Sequence, residues 1–385
     1  MGLVRGAALD DPAALRHAGR ELLALALMDT RNTLLALLPA LQATGDPALW
    51  RRMLQAGAWP EWWISRHVQR HRGEAADASA PRLPGLEPRL PAWLAGEEQP
   101  DTPALTGYLA STLELTLDLL ATAPETDAGL HLYRQAVQHE DRLVEGLREA
   151  LREGAPPPRP ERGPLQVPGR RWTLGTPAEV GGFVPEAERG PEAVAVPDFE
   201  IDAQPVSWAR FAEFVADGGY DDDRLWHEAG RRWREASGRR APAFVEQLAG
   251  GVVLQRGHGT RARLEKAPAQ QAAAHVTRHE AEAWCAWAGR RLPTAPEWAL
   301  AAATQARLGW AWGDVHEWVA GRARYLGAFE GQAAPPAALD VPLPGHGLLC
   351  GASWATPPRW RHAGARRFAE PGDDTACCGF RSCAA

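Results

Sequence analysis

Apolar residues recur at helical spacing over four stretches of the first 150 residues. The first, Leu9–Leu41, carries Leu22, Leu23, Leu25, Leu27, Leu34, Leu35, Leu37 and Leu38, with Pro39 near its end. Gly45-Asp46-Pro47 makes a turn in which Asp46 caps the next helix and Pro47 takes its first position. That helix covers Ala48–Gln69, with Trp59, Trp62 and Trp63 as a bulky packing face and Pro60 as a kink. A third pattern runs over Thr106–Ala123, after a long loop at 74–103 rich in Pro, Gly and acid. The fourth, Leu132–Leu151, places Leu132, Ala136, Val137, Leu143, Leu147 and Leu151 on one side. Four amphipathic helices with one long crossover predict a four-helix bundle.

Beyond a Pro-rich linker at 154–168 the periodicity changes. Short β-like runs (RWTLG, AVAVPDFEID, VVLQR) alternate with turns and with two helices, Trp208–Ala216 and Arg278–Ala288. Thr277 and Glu280 form a capping box for the second of these, and Gly289 ends it. A third short helix is expected near Pro296–Ala303. The chain therefore divides into an α domain over 1–153, the linker, and an α+β domain over 169–385.

A length of 385 residues suits two domains, and 45% hydrophobic against 23% charged residues is ordinary globular composition. The net charge of −6 argues against bulk nucleic-acid or anionic-membrane binding. No apolar run of about 20 residues is apparent, so no spanning helix is expected, and no secretory leader pattern opens the chain. The five cysteines (Cys285, Cys350, Cys377, Cys378, Cys383) lack metal-ligand spacing and read as buried structural thiols of a cytoplasmic protein. Seventeen Trp, concentrated after residue 200, suggest an irregular domain pinned by large rings.

Candidate chemistry centres on His139-Glu140 in the fourth helix. A His-Glu-x-x-His run sets two imidazoles one turn apart for a metal, but here the second position is Leu143. Glu140 and Asp141 read as solvent-facing or capping charges. His67 and His71, at i and i+4, sit among Arg66, Arg70 and Arg72, which disfavour a cation.

Four segments of the second half, AEFVADGGYDDDRLW (212–226), HVTRHEAEAWCAWAGRRLPTAPEW (275–298), WGDVHEWVAG (312–321) and GASWATPPRWRHAGARRF…GFRSCA (351–384), resemble the formylglycine-generating-enzyme-like fold, a C-type-lectin-related domain. With DTRNTLLALL (29–38), WPEWWISRHVQRHRG (59–73) and LYRQAVQHEDRLVEGL (132–147), which resemble a DinB-like bundle, they look like the ergothioneine sulfoxide synthases and, more closely, the selenoneine synthase branch. The resemblance covers nearly the whole chain. It implies oxygen-dependent chemistry on iron(II), joining sulfur or selenium from a thiol or seleno-sugar to the trimethylammonium compound hercynine. It also implies three iron-ligating histidines on the bundle.

Carried over residue by residue, His139 matches one ligand, Leu143 occupies the position of the second, and the third falls on Gln55 or a near neighbour, with no His between His17 and His67. Leu has no lone pair to give, and Gln is a weak neutral donor for Fe(II). In the second domain the family's substrate loop falls on Trp312, Asp314, His316, Glu317 and Trp318, with Arg366 nearby; Asp314 replaces the usual Asn and His316 the usual Trp. Trp310, Trp312 and Trp318 are candidates for a cation–π wall around a trimethylammonium group, or for pins of the fold. Three readings follow: an active synthase with replacement ligands such as His67, His71 or His131; an iron-free pseudoenzyme or betaine-binding protein; and metal-free acid–base chemistry at His139, Glu140 or Asp314.

Overall fold

A computed structural model describes residues 8–65, 87–326 and 341–385. The first domain opens with α1 (Pro12–Arg16), α2 (Arg20–Ala36) and α3 (Leu38–Thr44), followed by α4 (Pro47–Pro60). From α1 onward the single helix expected over Leu9–Leu41 is interrupted twice, at an extended Gly19 and again at Leu37. The second break follows from Pro39, which has no N–H and clashes with the carbonyl four residues back. Asp46 caps α4 through the Ala48 amide, with Pro47 in the first turn. Pro60 closes α4, and the next turn, Glu61–Ser65, widens to π geometry. Pro60 cannot donate to the Ala56 carbonyl, and the Arg31 guanidinium does so instead, at 3.1 Å. The rest of the expected second helix, 66–69, lies outside the described residues, as do His67 and His71.

The expected loop at 74–103 contains α5 (Leu90–Ala95) in its described part and runs into α6 (Thr102–Thr122), capped by Asp101. The fourth helix, α7, is Asp127–Leu151, capped by Thr126 and beginning five residues earlier than the apolar pattern showed. Within Arg20–Thr44 an 18-residue window reaches mean hydropathy 1.3, long and apolar enough to cross a membrane by length and composition, contrary to the expectation above. Its buried Leu23, Leu27 and Leu34 pack within the bundle, and its Arg31 is committed to an ion pair there.

One apolar cluster at one end of the bundle joins Trp50, Met53, Leu54, Tyr108, Leu143 and Leu147. Another joins Leu23, Leu27, Trp59, Tyr133 and Val137 at the other. At 100° per residue, Asp141, Glu145 and Glu149 form a stripe on the side of α7 away from Leu143. That stripe is buried as well, because the second domain covers it.

Residues 154–168 are more than a linker. Pro158 bridges Gln271, and Leu165–Val167 is a strand, β1. It pairs with β4 (Phe199–Ile201) in a sheet ordered β1-β4-β13-β8, with β13 at Cys383–Ala384 and β8 at Arg290–Arg291. A second four-stranded sheet is ordered β11-β10-β9-β12: Arg366–Ala369, Gly347–Cys350, His316–Val319 and Cys378–Phe380. All four residues of β9 are buried. The hairpin β2–β3 (Arg170–Leu174, Glu192–Val196) and the meander β5–β6–β7 (Val245–Gln247, Val253–Arg256, Arg263–Lys266) complete the strands.

Four helices stand beside them: α8 (Trp208–Ala216), α9 (Glu228–Ser237), α10 (Arg278–Trp287) and α11 (Ala295–Thr304). The Thr277/Glu280 capping box is formed, and Thr294/Glu297 makes a second one on α11. Gly289 sits just past α10 at φ +63, in open space. Gly289→Ala is therefore expected to cost about 1 kcal/mol, all of it backbone strain, in a urea melt. The tryptophans pin the fold as expected: Trp298 meets Trp310 and Trp312 edge-on at 5.8 Å each. All five cysteines are unpaired and buried.

Candidate functional site

His139 lies in the bundle interior, 8% exposed and stacked on Trp59 with ring centroids 5.3 Å apart. Both of its ring nitrogens are buried without a hydrogen-bond partner among the described residues. Burial pushes its pKa down to about 4; the nearby backbone of Gln55 opposes that shift without reaching hydrogen-bond geometry. The ring is therefore neutral at pH 7. Leu143, one turn on, is buried in the apolar cluster, and Gln55 is exposed, so no amide joins the imidazole from that position. His131 packs instead against Phe183 of the second domain, at 5.5 Å. Among the described residues His139 belongs to no group of three potential metal ligands. One imidazole between an indole and a leucine does not make an iron(II) site.

Glu140 and Asp141 correct the expectation of solvent-facing charges, since each is 1% exposed. Arg31 grips Glu140 with both arms of its guanidinium, Nε at 2.5 Å and Nη2 at 3.0 Å, and also donates to the Leu109 carbonyl. Burial raises the Glu140 carboxyl above its usual range, and the Arg31 charge pulls it back in part. Asp141 points the other way, across the domain seam. Arg359 donates to it from Nε and Nη2 at 2.6 and 2.8 Å, and Trp360 Nε1 adds a third bond at 2.7 Å. Neither carboxylate is free for acid–base work.

Further along the same stripe, the seam holds a buried group that reading for apolar spacing missed. Glu145 and Glu149, one turn apart on α7, meet His316 of β9; all three side chains are 1% exposed. His316 Nε2 lies 2.7 Å from Glu145 Oε1 and 4.0 Å from Glu149 Oε1. Ser353 donates to Glu149 at 2.7 Å, and Thr356 donates to Glu145. Burial acts to raise the Glu145 carboxyl, but Arg367, His316 and Arg142 outweigh it and hold it well below the usual range. Burial, then the Glu145 charge, raises Glu149. Two neighbouring carboxyls are thus driven apart, one charged and one inclined to hold its proton.

By donor type this trio suits a divalent metal. Its surroundings do not. Arg367 Nη1 stands 2.9 Å from His316 Nε2 and 3.4 Å from Glu145, and Arg142 reaches Glu145 at 3.2 Å. A dication there would face two guanidinium groups at contact distance. The Arg367 and Arg142 charges oppose a dication there, although His316 Nδ1 and Glu149 Oε2 are buried without a hydrogen-bond partner among the described residues.

The remaining substrate-loop residues are likewise engaged. Asp314, 2% exposed, is held by both arms of Arg159, with Nη2 at 2.7 Å, so it does not present a free carboxylate to a trimethylammonium group. Glu317 takes Arg381 at 2.5 and 2.7 Å and Trp298 Nε1 at 3.0 Å. The Arg381 guanidinium also lies over Trp310 at 3.6 Å. Trp318 is fully buried and donates to the Val276 carbonyl, while Trp312 packs on Trp298. Arg366 is buried in β11 opposite Cys350. Arg159 and Arg381 thus hold Asp314, Glu317 and Trp310 in place, while Trp312 is half-buried.

The family profile for the Sulfatase-modifying factor enzyme 1-like domain matches residues 155–333. A hercynine oxygenase of Mycolicibacterium thermoresistibile is 31% identical over 362 residues, which cover 86% of this chain and 77% of that protein. This chain belongs to the hercynine oxygenase family. The hercynine oxygenase of Mycolicibacterium smegmatis is 36% identical over 225 residues, and there the match spans only 51% of that protein's length. A bovine protein described as an inactive C-alpha-formylglycine-generating enzyme 2 is 32% identical over 176 residues. Among hercynine oxygenases, then, this chain is one in which the described residues at the positions implied for iron do not assemble a metal site.

Proposed function

We propose that this chain is an ergothioneine/selenoneine-synthase-like member of the hercynine oxygenase family, with a DinB-like bundle as its first domain, that does not run iron chemistry from the inherited position. The observation that carries this reading is that, among the described residues, His139 stacks on Trp59 and belongs to no group of three metal ligands, with Leu143 in the apolar cluster and Gln55 exposed. Such a protein serves by binding, as an iron-free relative of an oxidative enzyme, with a hercynine-type betaine as its expected small-molecule ligand. The five unpaired buried thiols suit a reducing, cytoplasmic setting.

The second reading is the family chemistry itself, oxidative C–S or C–Se bond formation on hercynine with iron(II), O2 and a thiol or seleno-sugar. It is favoured by similarity that runs through both domains and by the two buried ring nitrogens of His139, which have no hydrogen-bond partner among the described residues. One experiment separates the two. The protein is loaded anaerobically with Fe(II), desalted and assayed for iron beside His139→Ala, while hercynine binding is measured by calorimetry. The iron-free reading expects negligible iron in both chains and measurable hercynine binding. Near one iron per chain, lost on His139→Ala, would establish the oxidative reading instead.

A further inference from the structure

A second cluster of metal-ligating side chains lies outside the domain seam, on the surface of the second domain. His227 caps α9, and His279 and Glu282 stand one turn apart on α10. We propose that these three residues form a Zn2+ site that clips α9 to α10.

The donor set is two imidazoles and a carboxylate, which suits zinc and leaves a fourth position for water. One ligand atom from each residue lies within 4.8 Å of the others. His227 Nε2 and His279 Nδ1 are 3.3 Å apart. That is about the edge of a tetrahedron built on Zn–N bonds of about 2.0–2.1 Å. Glu282 Oε2 stands 2.6 Å from His227 Nε2, a hydrogen-bond contact that must open by roughly 0.7 Å to admit an ion.

The surroundings support the trio, in contrast to those of Glu145, Glu149 and His316. Arg278 binds the other carboxylate oxygen, Oε1, at 2.8 Å and is tied to the Gly321 carbonyl at 2.6 Å. It orients Glu282 and leaves Oε2 toward the histidines. His279 is fixed by Trp233 at 5.8 Å and is only 8% exposed. The His227 side chain is 44% exposed, which gives an ion a way in from solvent.

Proton placement supplies a distinctive signature. The Gly230 amide donates to His227 Nδ1 at 3.1 Å, so the ring proton of the metal-free form sits on Nε2, among the three ligand atoms. A zinc ion takes the place of that proton, which moves to Nδ1. There it meets the Gly230 N–H, and the cap opens.

The test uses the full chain, stripped with chelator and titrated with Zn2+ against a chromophoric competitor at pH 7.5. The expected result is one ion per chain at micromolar Kd or tighter, with amide exchange at Gly230 faster in the zinc form. His279→Ala and His227→Asn are each expected to weaken binding at least tenfold. Asn retains helix-capping ability without an imidazole, so loss in that variant is not a loss of the cap. His139→Ala is expected to leave zinc binding unchanged, which separates this site from the bundle. Equal affinity in wild type and His227→Asn would overturn the proposal, as would no binding below millimolar zinc or a Gly230 amide that does not respond.

Discussion

Stability is expected to fall steeply as the pH drops from 6.5 toward 4. His139, His275, His279 and His362 are each pushed down to about 4, chiefly by burial. Their unfolded values lie near 6.5, so in that window the unfolded chain binds more protons than the folded one. The stability they contribute is complete above about pH 6.5 and drains away as the pH falls. Four groups acting fully would give a slope of at most about 5 kcal/mol per pH unit. Glu140 and Glu149, whose burial raises their carboxyls, act in the opposite sense by taking up protons in the folded state. Below the usual carboxylate range the depressed Glu145 joins the loss. Urea midpoints measured from pH 7.5 to 4.5 test the slope. His139→Phe, which keeps a ring against Trp59, is expected to reduce it by about 1.4 kcal/mol per pH unit. An unchanged slope in that variant would show that His139 titrates normally.

Asp141→Ala is expected to cost about 3–5 kcal/mol of unfolding free energy, because it leaves a buried guanidinium without its partner. Arg359 is 3% exposed. Its remaining carboxylate contact is Asp29, whose side chain is 45% exposed at the rim of the seam. Trp360 Nε1 would lose its acceptor as well. Asp141→Asn keeps an oxygen for some of these bonds and is expected to cost about 2 kcal/mol. Equilibrium urea denaturation of the three chains decides the matter. A loss under about 1 kcal/mol for the alanine variant would mean that Asp141 does not hold the domains together.

Several elements with one apolar side could be read from the sequence. Trp208–Ala216 came out to the residue, and the Thr277/Glu280 box and the Asp46-Pro47 start lie where capping chemistry puts them. Polar burial leaves no such outline. Asp141, Glu145 and Glu149 recur every four residues, yet acids away from the apolar stripe look solvated until the second domain supplies Arg359, His316 and Arg367. The partners lie more than 170 residues away, so no local pattern announces them. Helix α9 was missed for a related reason: EAGRRWREAS offers one large apolar residue, Trp233, and buries little. The site reading was right that Leu143 belongs to the core. Of the two roles open to Asp314 and Trp310, the structure shows the packed one, with Arg159 holding the carboxylate and Arg381 lying over the ring.

Helix α7 has one flank in the bundle and the other against the second domain, and this bears on how the gene can change. A cut at residues 153–154 falls neatly between the two halves in the sequence but not in the molecule. It would bare Asp141, Glu145 and Glu149 on one piece and strand Arg359 and Arg367 on the other. Exchange of either half with a relative transfers only one side of each ion pair. Lineages carrying this seam are therefore bound to inherit their two halves together, and a charge lost on one side must be answered by a change on the other.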